Sequence, residues 1–283
     1  MVESQRPNGA IREMTKNLVS IAGYDPSAGA GVLLDIGVFE RLGYRGFGVL
    51  TAVTAQNPER VDRVFPLAAR AVAGQFGRLT ETAVIAGIKV GMIGTAGNLA
   101  AVARILARNA RIPRVIDPVF RSSSGAVLLE KKAWPRYLDV LGGKADLITP
   151  NLDEAEILVS GPVRSVPAMR KAAAEITRAG RIPCLLKGGH LEGKAVDVLY
   201  DGREFTAFEH GRSVKDVHGT GCFLSSAILG HLAEGRTLKE ACGLGITLVG
   251  KAIREAVPAA GGRWTFDLSR GPSPGPSTGR GRR

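Results

Sequence analysis

The sequence predicts an α/β domain built on a mainly parallel sheet with helices over both faces. Three observations carry that expectation. Apolar bursts of strand length alternate with amphipathic stretches of helix length along most of the 283 residues, as in repeated βα units. The strand bursts read as nearly continuous apolar runs, the composition of strands buried on both faces. No repeat with a period of about 20 to 50 residues is visible, which removes solenoids and propellers.

Taken in order, the first strand, Leu18–Ala22, runs into a glycine-rich turn, Gly23 to Gly31, that opens a helix over Ala30–Leu42. Strand Gly46–Val53, helix Ala68–Thr80, strand Val84–Val90, helix Ala96–Asn109 and strand Arg114–Val119 continue the alternation. A helix is expected over Lys131–Leu141, then strand Asp146–Thr149, which Pro150 breaks so that Leu152–Val159 starts a new helix. Helix Val166–Ala179 and strand Pro183–Lys187 follow. Ala195–Tyr200 and Glu204–Glu209 flank Asp201-Gly202, a hairpin signal, so the sheet is expected to end in antiparallel strands. In helix Gly221–Ala233, Phe223, Leu224, Ala227, Ile228 and Leu232 recur at three and four residues and form a stripe that should pack on the sheet. Leu238–Val257 is the last helix.

Residues 1–17 are polar and aperiodic, and residues 263–283 are rich in Gly, Pro, Ser and Arg; both are expected to be disordered tails around a single domain over 18–262. No apolar run approaches the ~18 residues that a membrane crossing needs, and the N-terminus lacks an apolar leader. Three scattered cysteines suit reduced thiols in a cytoplasmic protein rather than a disulfide frame. Of the net charge of +12, residues 1–17 carry three basic and two acidic groups and residues 263–283 five and one, which leaves +7 for the domain. That remainder lies in single Lys and Arg residues without interleaved aromatics, so it argues against nucleic acid and suits small polyanions such as nucleotides.

Four segments can carry chemistry. His218-Gly219-Thr220-Gly221-Cys222 lies directly before a helix, where a permissive backbone and the helix N-terminus favour an anion. Cys222, in the first turn, is then expected to lean towards thiolate, as a base or nucleophile. The same residues also serve as a plain turn with a buried cysteine. Gly23-Tyr24-Asp25-Pro26-Ser27-Ala28-Gly29-Ala30-Gly31 is neither a Walker loop nor a dinucleotide fingerprint, but it stands where open sheets collect ligands. Asp35, on the helix it opens, could face that crevice or solvent. Asn151 and Glu154 have capping-box spacing as well as a place at a strand end. Lys187-Gly188-Gly189-His190 sets a cation beside backbone able to approach phosphate, or simply turns tightly. Zinc spacing and a Gly-x-Ser-x-Gly elbow are both missing from the sequence.

These segments, with Thr51-Ala52-Val53-Thr54-Ala55-Gln56-Asn57, Lys89-Val90-Gly91-Met92 and Asp117-Pro118-Val119 in the same order, resemble the hydroxymethylpyrimidine and phosphomethylpyrimidine kinases of the ribokinase-like superfamily over about residues 18–257. The resemblance implies a three-layer αβα sandwich with a mostly parallel central sheet and a homodimer. It implies ATP and Mg²⁺ as cofactors and phosphorylation of 4-amino-5-hydroxymethyl-2-methylpyrimidine and of its monophosphate, for thiamin synthesis. It further implies that Gln56 reads the aminopyrimidine edge, with Gly23, Asp35 and Met92 lining the pocket. Asp117 and Glu154 would organise Mg²⁺ through water, together with Asn151, and Lys187 would neutralise nucleotide phosphate. Gly219, Thr220 and Gly221 would form the anion hole, and Cys222 would take the proton of the substrate hydroxyl. Two departures stand out: Leu33-Leu34 replace the usual Gln-Ala, and Phe120-Arg121-Ser122-Ser123-Ser124-Gly125 lacks the lysine common in the lid, where Arg121 offers a cation instead. The rival readings are a pyridoxal kinase of the same fold and a catalytically silent nucleotide-binding regulator.

Overall fold

The computed structural model describes residues 16–189, 195–211, 213 and 215–268. Among them a nine-stranded sheet runs β3-β2-β1-β4-β5-β6-β7-β8-β9. Its centre is parallel: β1 (Asn17–Tyr24), β2 (Arg45–Gln56), β4 (Ile85–Val90), β5 (Arg114–Ile116), β6 (Leu147–Ile148) and β7 (Cys184–Leu186). β8 (Ala195–Tyr200) and β9 (Phe205–His210) close one side as the expected antiparallel hairpin. β3 (Val61–Pro66) closes the other, antiparallel to β2, and was not foreseen. Most of its side chains reach solvent, so the sequence carries no buried alternation to announce it.

Two cores sandwich the sheet. On one face Phe39 of α1 (Gly31–Arg41), Phe223 and Ile228 of α7 (Thr220–Ala233) and Cys242 of α8 (Leu238–Glu255) pack on Leu18, Val115 and Leu185. On the other, Phe76 of α2 (Ala69–Thr82), Leu106 of α3 (Ala96–Arg108), Tyr137 of α4 (Tyr137–Leu141) and Ile176 of α6 (Val166–Gly180) pack on Val19, Ile88 and Ile116. Full burial of side chains such as Phe39 and Phe223 contributes about 2–3 kcal/mol each. α7 carries a continuous buried stretch, Phe223 to Gly230, rather than a single stripe, because it is wedged between the sheet, α1 and α8. The helix expected over Lys131–Leu141 is split: Pro135, which has no N–H to donate, sits in a 3₁₀ segment, Lys131–Arg136, and only α4 is α-helical.

Packed chain continues past 262, where the disordered tail was expected to begin. Trp264–Thr265 pairs with Val257–Pro258, and the Phe266 ring lies 4.6 Å from that of Phe223. At the other end Asn17, assigned to a tail, already belongs to β1. Residues 1–15 and 269–283, and His190 of the glycine turn after β7, lie outside the described residues. No helix among the described residues is long and apolar enough to cross a membrane.

Candidate active site

The carboxyl ends of β1, β2, β4, β5, β6 and β7 open into a cleft of about 860 Å³, where ligands collect in open α/β sheets. The chain supplies a residue at each strand end: Gly23 in the last two residues of β1, Gln56 at the end of β2, Met92 after β4, Asp117 after β5, Asn151 after β6 and Lys187 after β7. Gly219, Thr220, Gly221 and Cys222 form the facing wall at the start of α7, and Glu154 joins from α5 (Leu152–Val159).

The α7 terminus differs from those of α3, α5, α6 and α8, which carry side-chain caps from Thr95, Asn151, Ser165 and Thr237. No side chain caps α7, and its N-cap, Gly219, is left-handed at φ 83°, ψ 14°. The first-turn amides and the positive end of the helix dipole therefore face the cleft, an arrangement suited to phosphate. Gly221 leaves room beside it for a charged pair: a Cβ there would come 3.0 Å from Lys187 Nζ and 3.4 Å from Asp117 Oδ2.

Lys187 donates to Asp117 Oδ1 at 2.9 Å, and Thr149 Oγ1 donates to the same oxygen at 3.1 Å. Burial works against the Lys187 charge, but Asp117 and Glu154 outweigh it and hold the ammonium above its usual range. Asn151 and Glu154 close the capping box, each backbone N–H donating to the other's side chain at 2.8 Å. Burial, helped by Asp117 and opposed by Lys187, pushes the Glu154 carboxyl up to about 8. Among the described residues no group of three or more His, Cys, Asp or Glu side chains could cage a metal. Asp117 and Glu154 fit Mg²⁺, which keeps several waters and takes its remaining oxygens from substrate phosphates.

The raised Glu154 carboxyl predicts a pH dependence of stability. Its folded value lies above its unfolded value of 4.5, so its contribution is fully present below 4.5 and is lost as pH rises to about 8. Measured as the stability of Glu154→Gln minus that of wild type without ligand, the gap should widen as pH rises through that window. A gap that stays constant from pH 4.5 to pH 8 refutes it.

Two expectations are overturned. Asp35 does not line the pocket: it is fully buried behind the cleft wall, where Lys89 Nζ donates to its oxygens at 2.8 Å and Ser226 Oγ at 2.8 Å. α1 turns that face inward because Leu34, Val38 and Phe39 must reach the core. Nor does Cys222 lean towards thiolate. Burial pushes its thiol up to about 11; Lys89 and a bond from the Gly31 backbone oppose the rise, while Asp35 and Asp117 reinforce it. The helix field therefore does not make up for lost hydration.

Asp25 and His218 of the cleft, and Lys89 buried behind it, lie in segments singled out from the sequence but were given no role of their own. Asp25 Oδ1 accepts from Ser27 N–H at 2.8 Å and Ser27 Oγ at 2.7 Å, its Oδ2 accepts from Ala30 N–H at 3.0 Å, and His218 Nε2 stands 3.4 Å away. Burial raises this carboxyl, but bonds from His218, Ser27 and Gln56 outweigh it and hold it below the usual range. Asp25 thus holds the first glycine turn together and faces His218 of the anion loop. The spacing Asp25-Pro26-Ser27, an Asx-turn pattern, could have revealed the local part. His218 and Lys89 had no comparable signal. Gly23 is also explained, since a Cβ there would come 2.6 Å from Met92 Sδ. Arg121 lines the cleft with its guanidinium 5.2 Å from the centre of the Trp134 ring.

A sandwich of this topology, with a phosphate-ready helix end facing a buried lysine and two carboxylates, defines a phosphotransferase of the ribokinase-like class. The chain belongs to the phosphomethylpyrimidine kinase family, whose family model matches residues 25–267. It is 37% identical over 240 residues to the hydroxymethylpyrimidine/phosphomethylpyrimidine kinase of Aquifex aeolicus, covering 84% of this chain and 94% of that one. The crystal structure of phosphomethylpyrimidine kinase from Clostridium difficile superposes with a TM-score of 0.74 at 33% identity, over 84% of this chain and all of that one. Pyridoxal kinase from Staphylococcus aureus in complex with AMP-PCP and pyridoxal gives 0.81 at 29% identity, over 90% and 93%.

Proposed function

We propose that this kinase transfers the γ-phosphoryl group of ATP to the hydroxymethyl oxygen of 4-amino-5-hydroxymethyl-2-methylpyrimidine, and then a second phosphoryl group to the monophosphate, in thiamin synthesis. The observation that carries the reading is the convergence of Gln56 and the uncapped start of α7 on one cleft that also holds Asp117, Glu154 and Lys187. Gln56, an amide with one acceptor and two donors, matches an aminopyrimidine edge. The amides of Gly219, Thr220 and Gly221 receive the charge of the migrating group, and Lys187 balances the phosphate oxygens once the nucleotide competes with Asp117 for it. Cys222 Sγ takes the hydroxyl proton as the new O–P bond forms and the bond to the leaving ADP breaks. Asp117 and Glu154, acting through water, would hold Mg²⁺, which when bound neutralises phosphate charge.

The likeness to pyridoxal kinase supports a second reading, since pyridoxal also carries a hydroxymethyl group on an aromatic ring. Coupled ADP release with each heterocycle, and with the pyrimidine monophosphate, decides between them. A kcat/KM for the pyrimidine at least about tenfold above that for pyridoxal is expected, which corresponds to about 1.4 kcal/mol of transition-state preference. Equal or better turnover of pyridoxal would overturn the substrate assignment.

A further inference from the structure

Arg263 lines the cleft and has no part in the scheme above. Its segment is tied to the anion loop: His218 N–H donates to the Trp264 carbonyl at 3.2 Å, Trp264 N–H donates to the Asp216 carbonyl at 3.4 Å, and Arg263 Nη1 donates to Asp216 Oδ2 at 3.0 Å. The guanidinium is thereby held beside the stretch that runs into Gly219. It stands on the heterocycle side of the cleft. A Cβ on Gly261, two residues earlier, would collide with the carboxylate of Glu59, which lines the cleft three residues beyond Gln56. Asn151 and Lys187 belong to the opposite side, since β1, β4 and β5 lie between β2 and β6 in the sheet.

The partner of Arg263 gives way easily. The Asp216 side chain is 79% exposed against 26% for Arg263, and so exposed an ion pair adds little to stability. The bond takes one of five donors on a planar fork that matches two phosphate oxygens side by side. Of the other arginines lining the cleft, Arg60 is 71% exposed and faces Asp62, and Arg121 rests over Trp134. In the second transfer proposed above, an oxygen of the monophosphate attacks the γ-phosphorus of ATP, a new O–P bond forms and the bond to ADP breaks. That acceptor brings about two negative charges to the anion loop, which the hydroxymethyl group does not. A cation on the acceptor's side of the loop offsets the repulsion.

We propose that Arg263 determines specificity for the phosphorylated acceptor: its guanidinium leaves Asp216 and binds the phosphate of the heterocycle's monophosphate. The inference rests on the second transfer in the reading above, and it assigns that step a residue the first does not use.

The test pairs calorimetric affinity for the pyrimidine and for its monophosphate, without ATP, with coupled ADP release from each. Arg263→Gln is expected to weaken binding of the monophosphate by about tenfold or more and to lower its kcat/KM as much, with both values for the unphosphorylated pyrimidine within about threefold of wild type. Asp216→Asn removes the same ion pair but keeps the cation, and should bind the monophosphate at least as tightly as wild type. Loss of affinity for both acceptors in Arg263→Gln, or the same loss in Asp216→Asn, would mean that the pair shapes the loop, and overturns the proposal. So does an unchanged monophosphate affinity in Arg263→Gln, whatever the turnover. A wild-type enzyme that binds the monophosphate through Arg263 but releases no ADP with it would leave the arginine's role standing and sink the second transfer instead.

Discussion

Cys222→Ala is expected to lower kcat by about 10²–10⁴, the usual worth of a positioned base, while the Kd for ADP stays within about threefold. On the proposed roles the two effects separate, because Cys222 would meet the reacting hydroxyl whereas Lys187, Asp117 and the remaining loop amides would address the nucleotide. Burial pushes the Cys222 thiol up to about 11, so the ionised form is the minor one at neutral pH. Each pH unit below that value costs about 1.4 kcal/mol of base availability, so wild-type kcat should climb through the alkaline range. The alanine variant should lack that limb. Steady-state rates across pH, with ADP affinity from calorimetry, provide the measurement. A kcat for Cys222→Ala within about tenfold of wild type would mean that the proton leaves by another route, through water or the phosphate itself.

Near-neighbour chemistry was legible in the sequence, and partnerships across the fold were not. Asp201-Gly202 announced the β8–β9 hairpin because a two-residue turn is a local event, and Asn151 with Glu154 announced its capping box for the same reason. Strand ends could be matched to one crevice because parallel sheets place their carboxyl ends together. Asp35 was misjudged because its direction depends on how α1 is rotated by Leu34, Val38 and Phe39, and its partner Lys89 is 54 positions away. The charge state of Cys222 was misjudged for a related reason. A helix terminus can be read from a motif, but the burial that raises the thiol comes from elements far apart in the chain. β3 escaped because an edge strand exposed to water needs no periodic apolar pattern.

Gly219→Ala is expected to reduce activity by at least about 10²-fold and to destabilise the fold more than the same change at a comparable glycine. Gly219 and Gly43 have nearly the same φ, 83° and 85°, so left-handed strain of about 1–2 kcal/mol applies to both. Their surroundings differ. A Cβ on Gly43 meets nothing within 4 Å, whereas one on Gly219 would lie 2.0 Å from the Gly29 carbonyl oxygen and 2.6 Å from Leu34 Cδ2. Neither neighbour can yield cheaply, since one is backbone and the other is fixed in the core; overpacking of this kind adds about 1–3 kcal/mol. Relief must come from parting the Gly29 turn from the α7 loop, and those two segments carry the amides at the anion site, the Asp25–His218 contact and the Gly31 bond to Cys222. Moving them apart spoils the positions on which phosphoryl transfer depends, so the kinetic loss should far exceed what stability alone explains. Denaturant unfolding and kcat measured on both alanine variants separate the two effects. Equal destabilisation at both positions, with kcat of Gly219→Ala within about threefold of wild type, would show that the close approach of the two glycine turns is not what holds the phosphate site in shape.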